Sequence, residues 1–199
     1  MRALPGVVVL LGLLSACSGG STPPTTPFNS AEVHGIDYGR GLRLADGAGT
    51  PRALEDFRGQ VLVVFFGFTS CPDVCPTTMA DLAAALRDVD ESTRSKIDVQ
   101  FVSTDPNRDT PAQITRWLEG FDPSFRGGRA EINDVIDAAK VYGIGIEPPE
   151  VSDDDYQVTH GAQLLVLEPG GGMVGYFQEL SGADAYAKAI PILVDKYAA

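Results

Sequence analysis

Hydrophobic residues in the middle of the chain form first a continuous run and then a helical pattern. The run at 60–66 is rich in Val and Phe, which is typical of a strand buried on both faces. Over 77–89 the apolar residues recur at helical spacing, which predicts a helix directly after this strand. Residues 97–103 alternate between polar and apolar and predict a second strand. The three elements together predict a βαβ unit.

Two further helices are predicted after the second strand. Residues 111–121 begin with a proline, which suits the first turn of a helix, and Thr110 or Asp109 is the candidate N-cap. Residues 131–142 form the next helical stretch, which is expected to end near Gly143.

The C-terminal part predicts a hairpin and a closing helix. Apolar strands are expected at 162–167 and 173–177, joined by the Gly-rich turn 168–172. Residues 183–197 predict a helix that Pro191 is expected to bend or interrupt. The whole order predicts an α/β fold with a central mixed sheet flanked by helices. This is the order that a thioredoxin-like fold requires.

A separate apolar run near the N-terminus indicates an export signal. It covers residues 4–14, about half of the roughly 20 residues that a membrane-spanning helix needs. A positive charge precedes the run and small residues follow it, as in a secretory signal. Cys17 comes directly after the small residues and resembles the lipidated cysteine of a bacterial lipobox. The alternatives are an ordinary signal with an incidental cysteine or an uncleaved anchor.

These features divide the chain into three parts. Residues 1–16 are expected to be a lipoprotein signal peptide, and 17–31, which start with lipidated Cys17, a flexible tether of Ser, Gly, Thr and Pro. Residues 32–199 are expected to form one thioredoxin-like domain. This organisation predicts a domain that is lipid-anchored to the cell membrane on its extracytoplasmic side, periplasmic or outer.

Composition narrows the classes of function that the chain can have. The chain has 199 residues and a formal net charge of −12, and a polyanion such as nucleic acid would be repelled by that charge. It has three cysteines and two histidines, so a Cys/His site must be drawn from five residues. Of the histidines, His34 has no motif around it and is interpreted as a surface or edge-strand residue.

The strongest chemical signal is the pair Cys71 and Cys75. It follows the predicted buried strand, at the edge of the sheet where open α/β folds place their ligand sites. We expect residues four apart to share one face of the helix, and the positive helix N-terminus to favour thiolates. The pair could form a structural disulfide, a redox disulfide or two soft metal ligands. A structural disulfide across so short a loop would stabilise little, and redox pairs in this fold normally have the shorter C-x-x-C spacing.

His160 precedes the predicted strand 162–167 and is expected to lie beside the cysteine turn. Two thiolates and one imidazole suit a soft ion such as Cu(I). Zinc would need a fourth ligand, which Asp73 could supply. A lone histidine is more often structural, but the expected position opposite the cysteines favours a ligand.

These residues lie in motifs by which the chain resembles the SCO/SenC family, copper proteins of cytochrome c oxidase assembly. The similarity runs from about residue 40 to the C-terminus. The matching motifs are FGFT at 66–69, CPDVCP at 71–76, FVSTDPNRDTP at 101–111, YGI at 142–144 and VTH at 158–160.

The resemblance implies a thioredoxin-like domain with Cys71, Cys75 and His160 as copper ligands, for Cu(I) or Cu(II). It implies a membrane-tethered metallochaperone that passes copper to a cytochrome c oxidase subunit. One departure is that the family usually has Asp-His-Ser where this chain has Thr159-His160-Gly161. The alternative is an enzyme, a thiol–disulfide oxidoreductase that uses Cys71 and Cys75 to reduce the copper-ligand cysteines of that subunit. A third interpretation is a copper or redox sensor.

Overall fold

The computed structural model describes residues 28, 42–47, 51–147 and 156–198. The predicted signal peptide 1–16, Cys17 and His34 lie outside the described residues, as does the predicted tether except for Phe28. Phe28 is buried, and its ring meets the ring of Phe177 edge-on with centroids 5.1 Å apart. Within the described ranges, no helix is long and apolar enough to cross a membrane.

The described residues form nine strands, five α-helices and one 3-10 helix. The strands are β1 (Arg43–Ala45), β2 (Pro51–Ala53), β3 (Val61–Gly67), β4 (Ile97–Ser103), β5 (Arg126–Gly128), β6 (Ile146–Glu147), β7 (Thr159–His160), β8 (Leu164–Leu167) and β9 (Met173–Phe177). The helices are α1 (Val74–Asp88), α2 (Glu91–Arg94), α3 (Pro111–Glu119), α4 (Ile132–Val141) and α5 (Ala183–Tyr197), with the 3-10 helix at Leu54–Phe57.

The main sheet has the strand order β5-β4-β3-β8-β9. β3 and β4 are parallel, as are β4 and β5, whereas β8 is antiparallel to both β3 and β9. The predicted mixed sheet, with its βαβ half and its hairpin half, is therefore confirmed. The register places Leu164, the first residue of β8, opposite Phe65 near the end of β3. This pairing brings the segment that precedes β8 to the edge of the sheet where β3 ends.

The central strand β3 is buried on both faces because helices cover both sides of the sheet. Its residues 61, 63 and 65 pack with α1, α3 and α5 in one cluster, and residues 62, 64 and 66 pack with α4 and the 3-10 helix in the other. Every residue of β3 is buried, as its continuous apolar run predicted.

The structure corrects several predicted elements. Helix α1 begins at Val74, three residues before the predicted start, and α5 continues through Pro191 without interruption. Pro191 is on the exposed side of α5, where water can bond the carbonyl that lacks its usual N–H partner. Thr110, rather than Asp109, is the N-cap of α3, because its side chain accepts from the Gln113 N–H. The sequence patterns missed the short strands β1, β2, β5, β6 and β7, the 3-10 helix and α2.

Candidate metal centre

The two cysteines meet where β3 turns into α1. β3 ends at Gly67, and Cys71 lies in the turn before the helix while Cys75 is in its first turn. The expectation that both cysteines share a helix face is therefore wrong, because the helix begins only at Val74. The sulfurs converge in another way: the Cys75 N–H, a free donor of the first turn, donates to Cys71 Sγ at 3.4 Å.

Burial separates the two thiols. Cys75 is 0% exposed and packs in the core, whereas Cys71 is half-buried at the surface. Both are free thiols. Gly67 allows the close packing around Cys75, because a Cβ at this position would lie 3.1 Å from Cys75 Sγ and 2.8 Å from the Phe65 ring.

His160 reaches the same place from the other half of the sheet. Its strand β7 pairs with β6, opposite Ile146, and its Nε2 lies 3.9 Å from Cys75 Sγ. The other ring nitrogen, Nδ1, is 3.0 Å from the Gly161 carbonyl. A carbonyl oxygen only accepts, so in the neutral ring this contact places the proton on Nδ1. Nε2 then turns its lone pair towards the sulfur, as a metal ligand requires.

Two aromatic rings form the walls around this imidazole. Phe68 and Phe65 meet the His160 ring edge-on, with centroids 5.8 and 6.4 Å away. Both phenylalanines are buried. They come from the end of β3 and the turn that follows it, so the Cys-bearing segment itself orients the histidine.

Burial keeps both Cys75 and His160 neutral before any ion binds. It raises the pKa of the Cys75 thiol well above its ordinary value, and the hydrogen bond with Cys71 acts in the same direction. The prediction of a thiolate at the helix N-terminus is therefore wrong for Cys75 in the metal-free protein, because burial of this side chain disfavours the charged form. Burial also lowers the pKa of His160, so its ring is uncharged at neutral pH.

The distance between Cys75 Sγ and His160 Nε2 fits two ligands of one soft metal ion. Metal bonds of about 2.3 Å to sulfur and about 2.0 Å to nitrogen, opened by about 120°, place the two donors roughly 3.7 Å apart. The observed separation of 3.9 Å between Cys75 and His160 matches this value. Over the described ranges, however, no three His, Cys, Asp or Glu side chains are already gathered to hold a metal. Asp73 is exposed, and its carboxylate faces Thr77 at 3.5 Å.

A buried carboxylate that the sequence analysis considered only as a candidate helix cap fixes the turn before Cys71. Asp109 accepts hydrogen bonds from the Thr69 hydroxyl and the Ser103 hydroxyl, both at 2.6 Å, and from the Thr69 N–H at 3.2 and 3.3 Å. Gln113 in turn donates to the Thr69 hydroxyl at 3.1 Å. These bonds tie the turn to the loop after β4. Asp109 lies in the DPNRDTP motif at 105–111, and this motif could have indicated its importance. The only role predicted for Asp109 was that of a candidate helix cap.

Comparisons with known proteins identify the family of the chain. The family described as SCO1/SenC matches residues 31–195. A putative copper-binding protein of Stutzerimonas stutzeri is 29% identical over 154 residues, 77% of this chain and 76% of that protein. The mitochondrial SCO2 homologue of Mus musculus is 32% identical over 149 residues, 74% of this chain but only 58% of that protein.

The fold has a close counterpart among solved structures. The crystal structure of yeast Sco1 with copper bound superimposes with a TM-score of 0.71 at 27% identity, over 78% of this chain and 87% of that one. The fold class is therefore the predicted thioredoxin-like one, and the motifs that carry the resemblance lie within the matched range. This chain belongs to the SCO1/SenC family.

Proposed function

We propose that this protein binds copper through Cys71, Cys75 and His160 and delivers it to the copper-receiving subunit of cytochrome c oxidase during assembly. The observation that carries the proposal is the 3.9 Å approach of the buried Cys75 thiol to the lone-pair nitrogen of His160. The Cys71 sulfur is held beside the same thiol by the Cys75 N–H. Two sulfurs and one imidazole favour Cu(I), which accepts three soft ligands, over zinc, which takes four.

Relatives support copper as the ion. The Stutzerimonas stutzeri relative is named a putative copper-binding protein, and yeast Sco1 was crystallised with copper bound. In this chain Cys75 and His160 are already spaced for a metal. The third ligand, Cys71, is half-buried. A rotation of the Cys71 side chain towards the pair would complete the set. Binding then displaces the thiol protons, because a metal binds the thiolate form.

Delivery follows from how the ligands are placed. Cys71 is half-buried and lies in the turn before the helix, so a thiolate of an acceptor protein can replace it first and then draw the ion away from the half-buried His160 and the buried Cys75. The predicted lipid on Cys17 would keep the domain at the membrane surface, on the extracytoplasmic side, where the acceptor subunit would receive copper. The predicted signal peptide 1–16 and the tether 17–31 belong to the same proposal.

A copper titration tests the binding site. The reduced full chain carrying Cys17→Ser is titrated with Cu(I) against a chromophoric chelator, so that only the site thiols compete. We expect one Cu(I) per chain, with loss of tight binding in Cys71→Ser and Cys75→Ser and weaker binding in His160→Ala. His34→Ala is the matched control and should bind as tightly as the parent chain. The absence of stoichiometric binding, or full binding in Cys71→Ser, would overturn the proposal.

Lipidation has its own test. Cells that express the chain are labelled with radioactive palmitate, and the label is expected in the wild-type chain but not in Cys17→Ser. Cys71→Ser is the control, because it removes a thiol and should keep the label. Label that survives in Cys17→Ser contradicts the anchor.

The thiol–disulfide alternative uses the same cysteine pair. An exposed thiol beside a buried one is the arrangement of a redox dithiol, and the half-buried Cys71 next to buried Cys75 has this form. A deletion strain separates the two functions through oxidase activity. Rescue by added copper supports delivery, whereas rescue only by a thiol reductant supports the oxidoreductase.

A further inference from the structure

A second cluster of polar side chains connects the loop after β4 to the segment that carries His160. Asp105 is 0% exposed and accepts a hydrogen bond from the Tyr156 hydroxyl at 2.7 Å. The same carboxylate accepts from Arg108 Nε, three residues further along the loop. The Arg108 guanidinium carbon in turn lies 3.8 Å from the centre of the Tyr156 ring. We call these three residues the Asp105 cluster.

The Asp105 cluster also contacts the cysteine turn. The Arg108 guanidinium carbon also lies 5.8 Å from the centre of the Phe68 ring. Phe68 is one of the two rings that meet His160 edge-on. The arginine therefore lies between two aromatic rings, one from each segment that supplies a ligand.

His160 is held differently on its two sides. After it, the Gly161 N–H donates to the Gly145 carbonyl at 2.8 Å, and β7 pairs with β6 over only two residues. Before it, the chain is held by the burial of Val158 and by Tyr156, whose phenol bonds Asp105. The Tyr156 contact therefore fixes the N-terminal side of this short arm, four residues from the imidazole.

We propose that the Asp105 cluster is a positioning device that holds His160 Nε2 against Cys75 by clamping Tyr156 to the loop after β4. Asp105, Arg108 and Tyr156 are not among the three proposed ligands; they act through the arm and through Phe68 and are therefore positioning residues. The buried carboxylate has both a cation and a phenol as partners, and such a satisfied network favours one conformation. The proposal rests on the proposed function only in its copper measurement.

The expected effect follows from the fraction of chains in which the imidazole is in place. The apparent affinity of a ligand falls in proportion to the fraction of the protein that is competent to bind it. If removal of the Tyr156 hydroxyl leaves His160 in position in about a fifth of the molecules, the dissociation constant of Cu(I) rises about fivefold. If Tyr156→Phe only lowered the general stability, the melting temperature would fall, and any change in Cu(I) affinity would be the same with and without His160.

A double-mutant cycle separates these two cases. Tyr156→Phe is measured by chelator competition in the full chain with Cys17→Ser, alone and combined with His160→Ala. We expect about a fivefold weaker binding of Cu(I) in the His160 background and less than about a twofold change in the His160→Ala background. An equal loss in both backgrounds, or no loss in either, would overturn the proposal.

Two more variants serve as a control and as a second test of the clamp. Tyr186→Phe is the matched control, since this buried hydroxyl has no hydrogen-bond partner in the part of the chain that the structure describes, and it should leave the affinity unchanged. Arg108→Lys keeps the charge but loses the planar group that lies on the Tyr156 ring. It should show the same dependence on His160 as Tyr156→Phe, and a loss that is independent of His160 contradicts the clamp.

A measurement without copper distinguishes failure of the positioning from failure of the proposed function. The ring-proton NMR signals of His160 in the reduced, copper-free chain are assigned by comparison with His160→Ala. They should shift or broaden in Tyr156→Phe and stay in place in Tyr186→Phe. Unchanged signals in Tyr156→Phe would refute the positioning even if copper binds. Shifted signals in a chain that binds no Cu(I) would support the positioning and refute the proposed function.

Discussion

Removing the Thr69 hydroxyl tests how strongly the buried Asp109 holds the cysteine turn. Thr69→Val keeps the shape of the side chain but deletes the 2.6 Å donor to the Asp109 carboxylate. The carboxylate keeps the Ser103 hydroxyl and the Thr69 N–H as donors. A hydrogen bond to a charged group contributes about 1.5–3 kcal/mol to stability, so we expect a loss of about 2 kcal/mol in the free energy of unfolding. For a domain of this size the melting temperature should fall by about 4–8 °C.

The loss should depend on pH in one direction. Burial raises the pKa of Asp109 in the folded protein, whereas the bonds from Ser103 and Thr69 lower it. The folded pKa thus lies above the unfolded value of about 3.9. The stability that this group contributes is complete below the unfolded value and is lost as pH rises through the folded pKa. Without the Thr69 hydroxyl the folded pKa rises further, so the penalty should be largest near neutral pH and smaller in acid.

Urea unfolding of wild-type and variant chains from about pH 8 down to about pH 4, close to the unfolded pKa of Asp109, measures this penalty. Thr77→Val is the matched control, since its hydroxyl faces the exposed Asp73 at 3.5 Å, and it should change the free energy of unfolding by less than about 0.5 kcal/mol. Thr69→Ser restores the hydroxyl and should recover most of the loss. A penalty that is equal for Thr69→Val and Thr77→Val, or one that grows in acid, would refute the reasoning.

Three further perturbations have definite expected outcomes. Gly67→Ala places a Cβ 2.8 Å from the Phe65 ring and 3.1 Å from Cys75 Sγ, so it should cost about 1–3 kcal/mol in thermal unfolding and weaken Cu(I) binding in the chelator assay. Unchanged stability and affinity would contradict the close packing. The raised pKa of Cys75 means that Cu(I) displaces its proton throughout the neutral range, so the affinity should rise at least about tenfold per pH unit in a chelator series. A flat profile would contradict this. Pro191→Ala restores a helical N–H on the exposed side of α5 and should raise the free energy of unfolding in urea by about 1–3 kcal/mol, and a loss of stability would show that the proline is needed.

The elements that were predicted from the sequence are those with long periodic patterns. The apolar run of β3, the alternation in β4 and the helical spacing of α5 each follow from burial of one or both faces, which leaves a regular signal over many residues. The prediction of β9 was right to the residue, because the Gly-rich turn before it and the apolar run within it agree.

The missed elements depend on contacts between distant residues. β6 and β7 have two residues each, too few for any period, and they exist because Thr159 and His160 pair with Glu147 and Ile146 from a distant part of the sequence. The properties of the site also depend on contacts that the local sequence does not encode. The sequence predicted that Cys71, Cys75 and His160 would meet, but the raised pKa of Cys75 arises from burial, which the spacing of two cysteines does not encode.

The three proposed ligands are held to different degrees, and this difference suits the proposed delivery of copper. Cys75 is enclosed by the core, with Gly67 making room for its sulfur, and His160 is fixed between two phenylalanine rings. Cys71 is half-buried at the edge of the core, and its sulfur accepts one long hydrogen bond from the Cys75 N–H. A resident catalytic metal would require all its ligands to be locked in place. A carried ion requires one ligand that an acceptor can replace without unfolding the others, and the half-buried Cys71 is placed to be that ligand.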